Sequence, residues 1–407
     1  MTAPRPRAYI VPLSRHSRMS ESRRTFHPRA FLLATWAVTV CSNAFYISPA
    51  PVFPDMKSDL GISNAQAGAL ISVYLVAILL FQVPAGYVID RRDPRRIIAG
   101  SSLLVLGLSL VMYLVPRYDL LLTLRFLAGI PVAFLFVPSA YLVSRAFAET
   151  PGRAVGVFLS GPPTGVALGN LLGPIVAQAF GWPTVFIAFT LPWLVLLPLF
   201  YIYARDLPAR QQEPFTMADY LAAFGNLELW KVGAVFACSY AAYIFYSSWS
   251  PTYLVGSGIA SAALLGILSA AIPAAGILSR PVGGYLAETT FRADKRRVPM
   301  IAFIALLGAS ALVPFLGLGA IPFLIAAGFL AQFPFSVYYI LSAQIMPQKF
   351  TGTAFAFMNT ISLIGGAVSP GLAGVLVDVT GSFVSAFAMI AATAVLGLLL
   401  IVATRER

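Results

Sequence analysis

Twelve apolar runs separated by short polar connections dominate the sequence, at approximately residues 30–51, 64–89, 97–115, 118–146, 154–180, 183–204, 231–255, 262–288, 298–317, 320–345, 351–377 and 382–403. Crossing about 30 Å of hydrocarbon at about 1.5 Å per residue takes roughly 20 apolar residues, and each run supplies that length to within a few residues. No water reaches the bilayer interior, so each span must satisfy its backbone hydrogen bonds within itself, as a helix does. The expected fold is therefore an all-α membrane protein of twelve transmembrane helices. Composition agrees: 59% of the residues are hydrophobic and 10% charged, where soluble chains carry about 25% charged residues.

The 27 Lys and Arg against 15 Asp and Glu give a net charge of +12. With a cytoplasmic N-terminus, only Lys57 and Arg117 fall in external loops and Arg125 falls within a span, leaving 24 of the 27 cations facing the cytoplasm. This positive-inside asymmetry predicts a multi-pass protein of the cell (inner) membrane with both termini in the cytoplasm. It also argues against a nucleic-acid partner, because the basic residues punctuate hydrophobic spans and form no single basic face. The stretch 1–29 holds seven Arg and one Glu before the first apolar run, as the start of a signal peptide would. No small-residue cleavage site with a soluble domain follows, so it reads as a basic cytoplasmic tail, with Met19 as an alternative start.

The chain echoes itself. "GYVIDRRDPRR" from Gly86 returns as "GYLAETTFRADKRR" from Gly284, 198 residues later. "CSNAFYI" at Cys41 returns as "CSYAAYI" at Cys238, "PGRAVG" at Pro151 as "PQKFTG" at Pro347, and Pro174 as Pro370. A nearly constant offset close to half the chain predicts two six-helix halves, 30–204 and 231–404, related by a pseudo-twofold axis and joined by a polar cytoplasmic connection over 205–230. Parallel repeats of this kind are one plan for transporters, with the substrate site near the midplane between the halves.

Gly86, Asp90, Arg91, Arg95 and Arg96 resemble the signature between helices 2 and 3 of the major facilitator superfamily, with Asp93-Pro94 in place of its second glycine. Arg125, Gly129 and Ala133 in "RFLAGIPVA" are similar to that family's helix 4 motif, and "GVALGNLLGP" in the fifth run to its glycine-rich helix 5 motif. The fuller helix 5 motif belongs to antiporters, but here Ala177 and Gln178 stand where its glycine pair is expected. The resemblance covers residues 30–404 and implies a monomeric transporter working by alternating access, with no cofactor.

A carboxylate beside a helix N-terminus gains about 0.3–1 kcal/mol. Asp90 is expected beside the start of the eleventh span near Thr351, forming with Gly86, Arg91, Arg95 and Arg96 a latch that holds the halves together on the cytoplasmic side. Gly284 and Glu288 are its counterparts, with Glu288 against the start of the fifth span near Arg153.

The resemblance implies a cavity lined by spans 1, 4, 7 and 10. The polar candidates there are Asn43 and Tyr46, Tyr240 and Tyr243, and Gln332, Ser336 and Tyr339, the last three spaced to share one helical face. Interhelical hydrogen bonding is the competing role for each. Arg125 is a charge within a span, which costs roughly 2.5–3.5 kcal/mol and marks either an anion site or a structural tie to neighbouring carbonyls.

All fifteen acidic residues fall in loops, tails or span ends, and His16 and His27 precede the first span. Intramembrane acid–base or metal chemistry therefore has no groups to work with, which argues against an enzyme and against a resident metal. Cys41 and Cys238 lie in apolar runs, where free cysteine acts as a small hydrophobe. A cationic substrate would need a buried carboxylate. The expected cargo is a small organic anion such as a carboxylate, with efflux of neutral or amphipathic compounds as the alternative.

Overall fold

The computed structural model describes residues 27–89, 92–147, 151–204, 224–258, 262–347 and 351–404. All twelve expected spans are helical, and the described residues contain no strand. Spans 1 to 12 run Pro28–Leu60, Asn64–Gln82, Pro94–Leu114, Tyr118–Ala146, Ala154–Phe180, Thr184–Ala204, Leu227–Gly256, Leu264–Glu288, Arg297–Phe315, Gly317–Ile345, Thr353–Thr380 and Phe383–Val402. The helix of span 2 continues to Ile89. Span 7 starts at Leu227, within the stretch expected to be connection, because Asn226 caps it by accepting from the amides of Glu228 and Leu229 at 3.1 and 3.2 Å. With an even number of spans, the start of span 1 and the end of span 12 lie at one end of the bundle, the terminal end; the opposite end is the distal end.

Apolar side chains face outward as readily as inward, as expected where the outer solvent is lipid: Leu103, Val195, Leu278 and Val379 are all exposed. Helix association in lipid relies on close packing, and glycines mark its tightest points. A Cβ on Gly165 of span 5 would strike the Val40 carbonyl of span 1, and one on Gly365 of span 11 would strike the Ala237 carbonyl of span 7. Gly129 stands in the same relation to Tyr74, and Gly328 to Ile272. Each pair of contacts recurs about 200 residues apart, matching the offset in the sequence.

A second repeated device closes each set of six spans. Asp93 caps span 3 by accepting from the Arg95 amide at 3.0 Å, pairs with the Arg95 guanidinium at 2.9 Å, and Arg95 donates onward to the Ala204 carbonyl at the end of span 6. Asp294 and Arg296 repeat the pairing at 2.9 Å, and Arg296 donates to the Thr404 carbonyl beyond span 12 at 2.6 Å. Burial alone would raise the Asp93 carboxyl, but the Arg95 side-chain hydrogen bond, the Arg95 amide and the arginine charges outweigh it and hold the group below the ordinary carboxylate range.

Candidate functional site

Arg125 is fully buried in span 4. Its Nε donates to the Leu70 carbonyl at 3.1 Å, one terminal nitrogen to the Phe45 carbonyl at 3.1 Å, and the other to the Tyr46 carbonyl at 2.5 Å. Its guanidinium also lies 4.3 Å from the centroid of the Tyr74 ring. The reason for this arrangement is in span 1. The helix that starts at Pro28 ends at Ile47; Pro49 has no N–H to offer the Phe45 carbonyl four residues back, and that carbonyl takes the Ser48 amide at 3.3 Å and hydroxyl at 2.9 Å instead. A cation at a helix C-terminus satisfies such carbonyls and complements the dipole. Arg125 therefore ties spans 1, 2 and 4 together, and it does not line the central cavity described next.

That cavity has a volume of about 460 Å³ and lies between the first six and the last six spans. Asn43, Tyr46, Tyr240, Tyr243, Ser336 and Tyr339, all expected from the sequence, line it together. Gln332 does not. It is fully buried behind the wall, because the helix of span 10 breaks between Gln332 and Phe335 and removes the common face that the spacing predicts.

The sequence reading places only Arg125 inside a span; the structure corrects this, since Arg280 also lies within one. It sits in the helix Ala262–Glu288 of span 8 and lines the cavity. One terminal nitrogen donates to Gln332 Oε1 at 2.8 Å. Gln332 is itself fixed, donating to the carbonyls of Pro273 and Gly328 at 3.3 and 3.2 Å. Its amide occupies the place that a Cβ on Gly276 would fill. The guanidinium lies over the Phe335 ring at 4.8 Å and the Tyr243 ring at 5.8 Å, while Nε is buried with no hydrogen-bond partner. The signal was in the sequence: Arg280 precedes Glu288 by eight residues, well inside an apolar run.

None of the described residues lining the cavity is acidic. Its amide side chains and Ser336 are engaged within the protein, whereas the hydroxyls of Tyr46, Tyr74 and Tyr243 are buried without a partner. Asn43 donates to the Thr39 carbonyl at 2.9 Å, Asn359 to Gln82 Oε1 at 3.0 Å, Gln82 to the Thr360 hydroxyl at 3.1 Å and Ser336 to the Arg280 carbonyl at 2.9 Å.

At the distal end the cavity is sealed. The Trp249 indole of span 7 donates to the Pro370 carbonyl of span 11 at 3.1 Å, and Asn170 of span 5 donates to the Ser247 carbonyl of span 7 at 2.9 Å. Asp378 of span 11 accepts from the amides of Asn64 and Ala65 at the start of span 2, at 3.0 and 2.7 Å. Tyr46 and Tyr74 line the cavity on this side and are buried, whereas Gly156, Leu159 and Pro281 line it toward the terminal end and are exposed.

The latch expected at the terminal end involves Asp90, Arg91 and the side chain of Arg153, which lie outside the described residues, as do the surroundings of Gly86. Of its other members, Arg95 is bound to Asp93 and Ala204 within the first six spans, Arg96 is 4.0 Å from Asp93 and largely exposed, and Glu288 is exposed. Gly284 gives span 8 close approach to Ser336 of span 10.

A family model described as Major Facilitator Superfamily matches residues 35–370. The chain is 23% identical over 373 residues to the hexuronate transporter of Bacillus subtilis, an alignment covering 86% of this chain and 88% of that one. It is 24% identical over 365 residues to the cyanate transport protein CynX of Escherichia coli, covering 87% and 91%. Among solved structures, a bacterial homolog of the human lysosomal transporter Spinster, in an inward-facing and unoccupied conformation, superposes with a TM-score of 0.73 at 16% identity, covering 92% of this chain and 95% of that one.

Proposed function

This chain belongs to the Major Facilitator Superfamily, and on that premise we propose that it is a secondary transporter moving a small organic anion by alternating access, with Arg280 as the anchor for the anionic group. The observation that carries this reading is the buried, unpartnered Nε of Arg280 in a cavity whose described lining residues include no acidic one. A buried guanidinium edge without an acceptor is costly, and a carboxylate is the ligand whose geometry fits it. Relatives named for hexuronate and cyanate transport agree in the sign of the cargo.

In this reading, residues 30–204 and 231–404 are the two units that rock about the cavity. The cations of the tail and loops hold both ends of the chain in the cytoplasm, so the present state is closed to the outside and faces inward. Chemistry is conformational and not enzymatic: the cycle needs only that the anion bind in both states and that the seals at the two ends alternate. Asn43, Tyr46, Tyr240, Tyr243, Ser336 and Tyr339 surround the cargo, and Gln332 positions Arg280. A monomer suffices, because the cavity is formed within one chain.

The described residues of the cavity offer no carboxylate that could carry a proton, so in this reading exchange or facilitated movement is the core reaction. Purified protein in proteoliposomes preloaded with benzoate, glucuronate or nitrate should show counterflow of at least one of them. That counterflow should persist in a protonophore and be lost in Arg280→Gln. The aromatic lining favours one competing reading, transport of neutral amphipaths. Movement of benzamide at the rate of benzoate, unchanged in Arg280→Gln, would establish that alternative and remove the anion reading.

A further inference from the structure

We infer that the anion is an aryl monocarboxylate: one negative charge on a flat aromatic body. This rests on the anion-transport reading above and narrows it. Four features of the cavity converge on that class.

The first is the count of charges. Arg280 is the one cation among the described residues lining the cavity, since Arg125 is committed to the carbonyls of Phe45, Tyr46 and Leu70. A dianion would leave one carboxylate buried without a partner, which is strongly unfavourable. The second is the shape of the anchor. Gln332 occupies one terminal nitrogen of the guanidinium, and the ring of Phe335 covers a face of it. Nε is left without a partner, a donor that suits a single carboxylate approaching in the guanidinium plane.

The third is the wall. Tyr240 stacks on Phe335 with centroids 6.0 Å apart, Tyr46 stacks on Tyr74 at 5.4 Å, and Phe236 meets Phe335 edge-on at 4.9 Å. These rings come from both halves and all line the cavity. An aromatic guest gains from offset or edge-on ring contacts beyond the area it buries. The fourth is the engagement of the polar groups. A sugar acid brings several hydroxyls that each lose water and need a partner; Asn43, Gln82, Ser336 and Asn359 already have partners within the protein, which leaves chiefly the ring-borne hydroxyls of Tyr46, Tyr74 and Tyr243. An inorganic anion leaves most of a cavity of about 460 Å³ unfilled, and cavities of this size ordinarily hold organic ligands.

The test is a binding panel on the purified full chain, by isothermal titration, with benzoate, cyclohexanecarboxylate, glucuronate, terephthalate, nitrate and neutral benzamide. The expected order places benzoate first, roughly fivefold tighter than cyclohexanecarboxylate, with terephthalate, glucuronate, nitrate and benzamide weaker still. Phe335→Leu should erase the advantage of benzoate over cyclohexanecarboxylate, whereas Phe335→Tyr should keep it. Arg280→Lys should weaken every acid. Glucuronate or cyclohexanecarboxylate binding more tightly than benzoate, with the loss in Arg280→Lys intact, overturns the aryl assignment while leaving the organic-anion transporter in place. Benzamide matching benzoate, or acids indifferent to Arg280→Lys, removes the anion reading itself. A panel in which no acid binds overturns both.

Discussion

Asp378 at the end of span 11 accepts hydrogen bonds from the Asn64 amide at 3.0 Å and the Asn64 side chain at 2.7 Å, while its second oxygen takes the Ala65 amide at 2.7 Å. One carboxylate thus caps the first turn of span 2 from the other half of the molecule. Lys57 donates to the Asn64 side-chain oxygen at 2.6 Å and steadies the same corner. The bond exists only while spans 2 and 11 abut at the distal end, and it cannot survive a state open on that side. It is the arrangement that the sequence suggests for Asp90 and the start of span 11, formed at the opposite end of the same pair of helices.

Asp378→Ala should loosen the distal seal and leave membrane insertion unchanged. A carboxylate at a helix N-terminus is worth about 0.3–1 kcal/mol, so the rate of thiol labelling at a Ser247→Cys reporter in the sealed region should rise up to about fivefold. An unchanged rate would show that Trp249 and Asn170 hold the seal without it.

Arg125→Lys should destabilise the fold without changing which solute binds. A single ammonium lacks the planar fork that reaches the carbonyls of Phe45, Tyr46 and Leu70 together, and breaking such a buried charged network costs roughly 3 kcal/mol. Thermal unfolding in detergent should show a larger loss for Arg125→Lys than for Arg280→Lys, and titration should show the reverse order for affinity. Equal losses of affinity would place Arg125 in the site.

Gly165→Ala should destabilise and Gly156→Ala should not. A Cβ at residue 165 meets the Val40 carbonyl and the Asn43 side chain, whereas residue 156 has nothing within 4 Å of the added atom. Overpacking costs about 1–3 kcal/mol, while alanine in an open helical position gains roughly 1 kcal/mol over glycine. Melting temperatures of the two variants should move in opposite directions.

Asp93→Asn has a pH signature. The Asp93 carboxyl is held below its ordinary value, so its contribution to stability is complete above an unfolded pKa of about 3.9 and is lost as pH falls through the lower folded value. Wild type should therefore melt higher than Asp93→Asn at pH 6, and the difference should shrink as the pH is lowered below about 4. A constant difference would mean that the charge of Asp93 does not hold the corner between spans 3 and 6.

The fold was legible because a bilayer imposes one rule on every span, and twelve runs of the right length obey it. The duplication was legible for a related reason: Gly165 and Gly365, or Arg95 and Arg296, serve the same contacts in each half and keep a nearly constant spacing. The site was only partly legible. Asn43, Tyr46, Tyr240, Tyr243, Ser336 and Tyr339 follow from placing polar residues on inner helices, but hydropathy gives no account of a break such as the one after Gln332, which turns that side chain from the wall toward Arg280. Arg125 stood out as an intramembrane charge, yet its role depends on span 1 ending its helix at Ile47 within reach of the guanidinium, a three-dimensional circumstance. Arg280 was hidden by its neighbours, since the basic stretch beginning at Arg292 drew it into the count of cytoplasmic cations.

The one cation among the described residues of the cavity has an electrical consequence for the proposed cycle. With a carboxylate bound, Arg280 and its guest sum to zero, and a swing of the loaded protein moves little net charge through the field. Empty, the cavity carries one positive charge, and transferring a full charge across 100 mV is worth about 2.3 kcal/mol. Voltage then acts on the unloaded return step alone. An interior-negative potential draws the empty site toward the cytoplasm and slows its return to the outside, so net uptake should fall as the membrane hyperpolarises while one-for-one exchange stays indifferent to it.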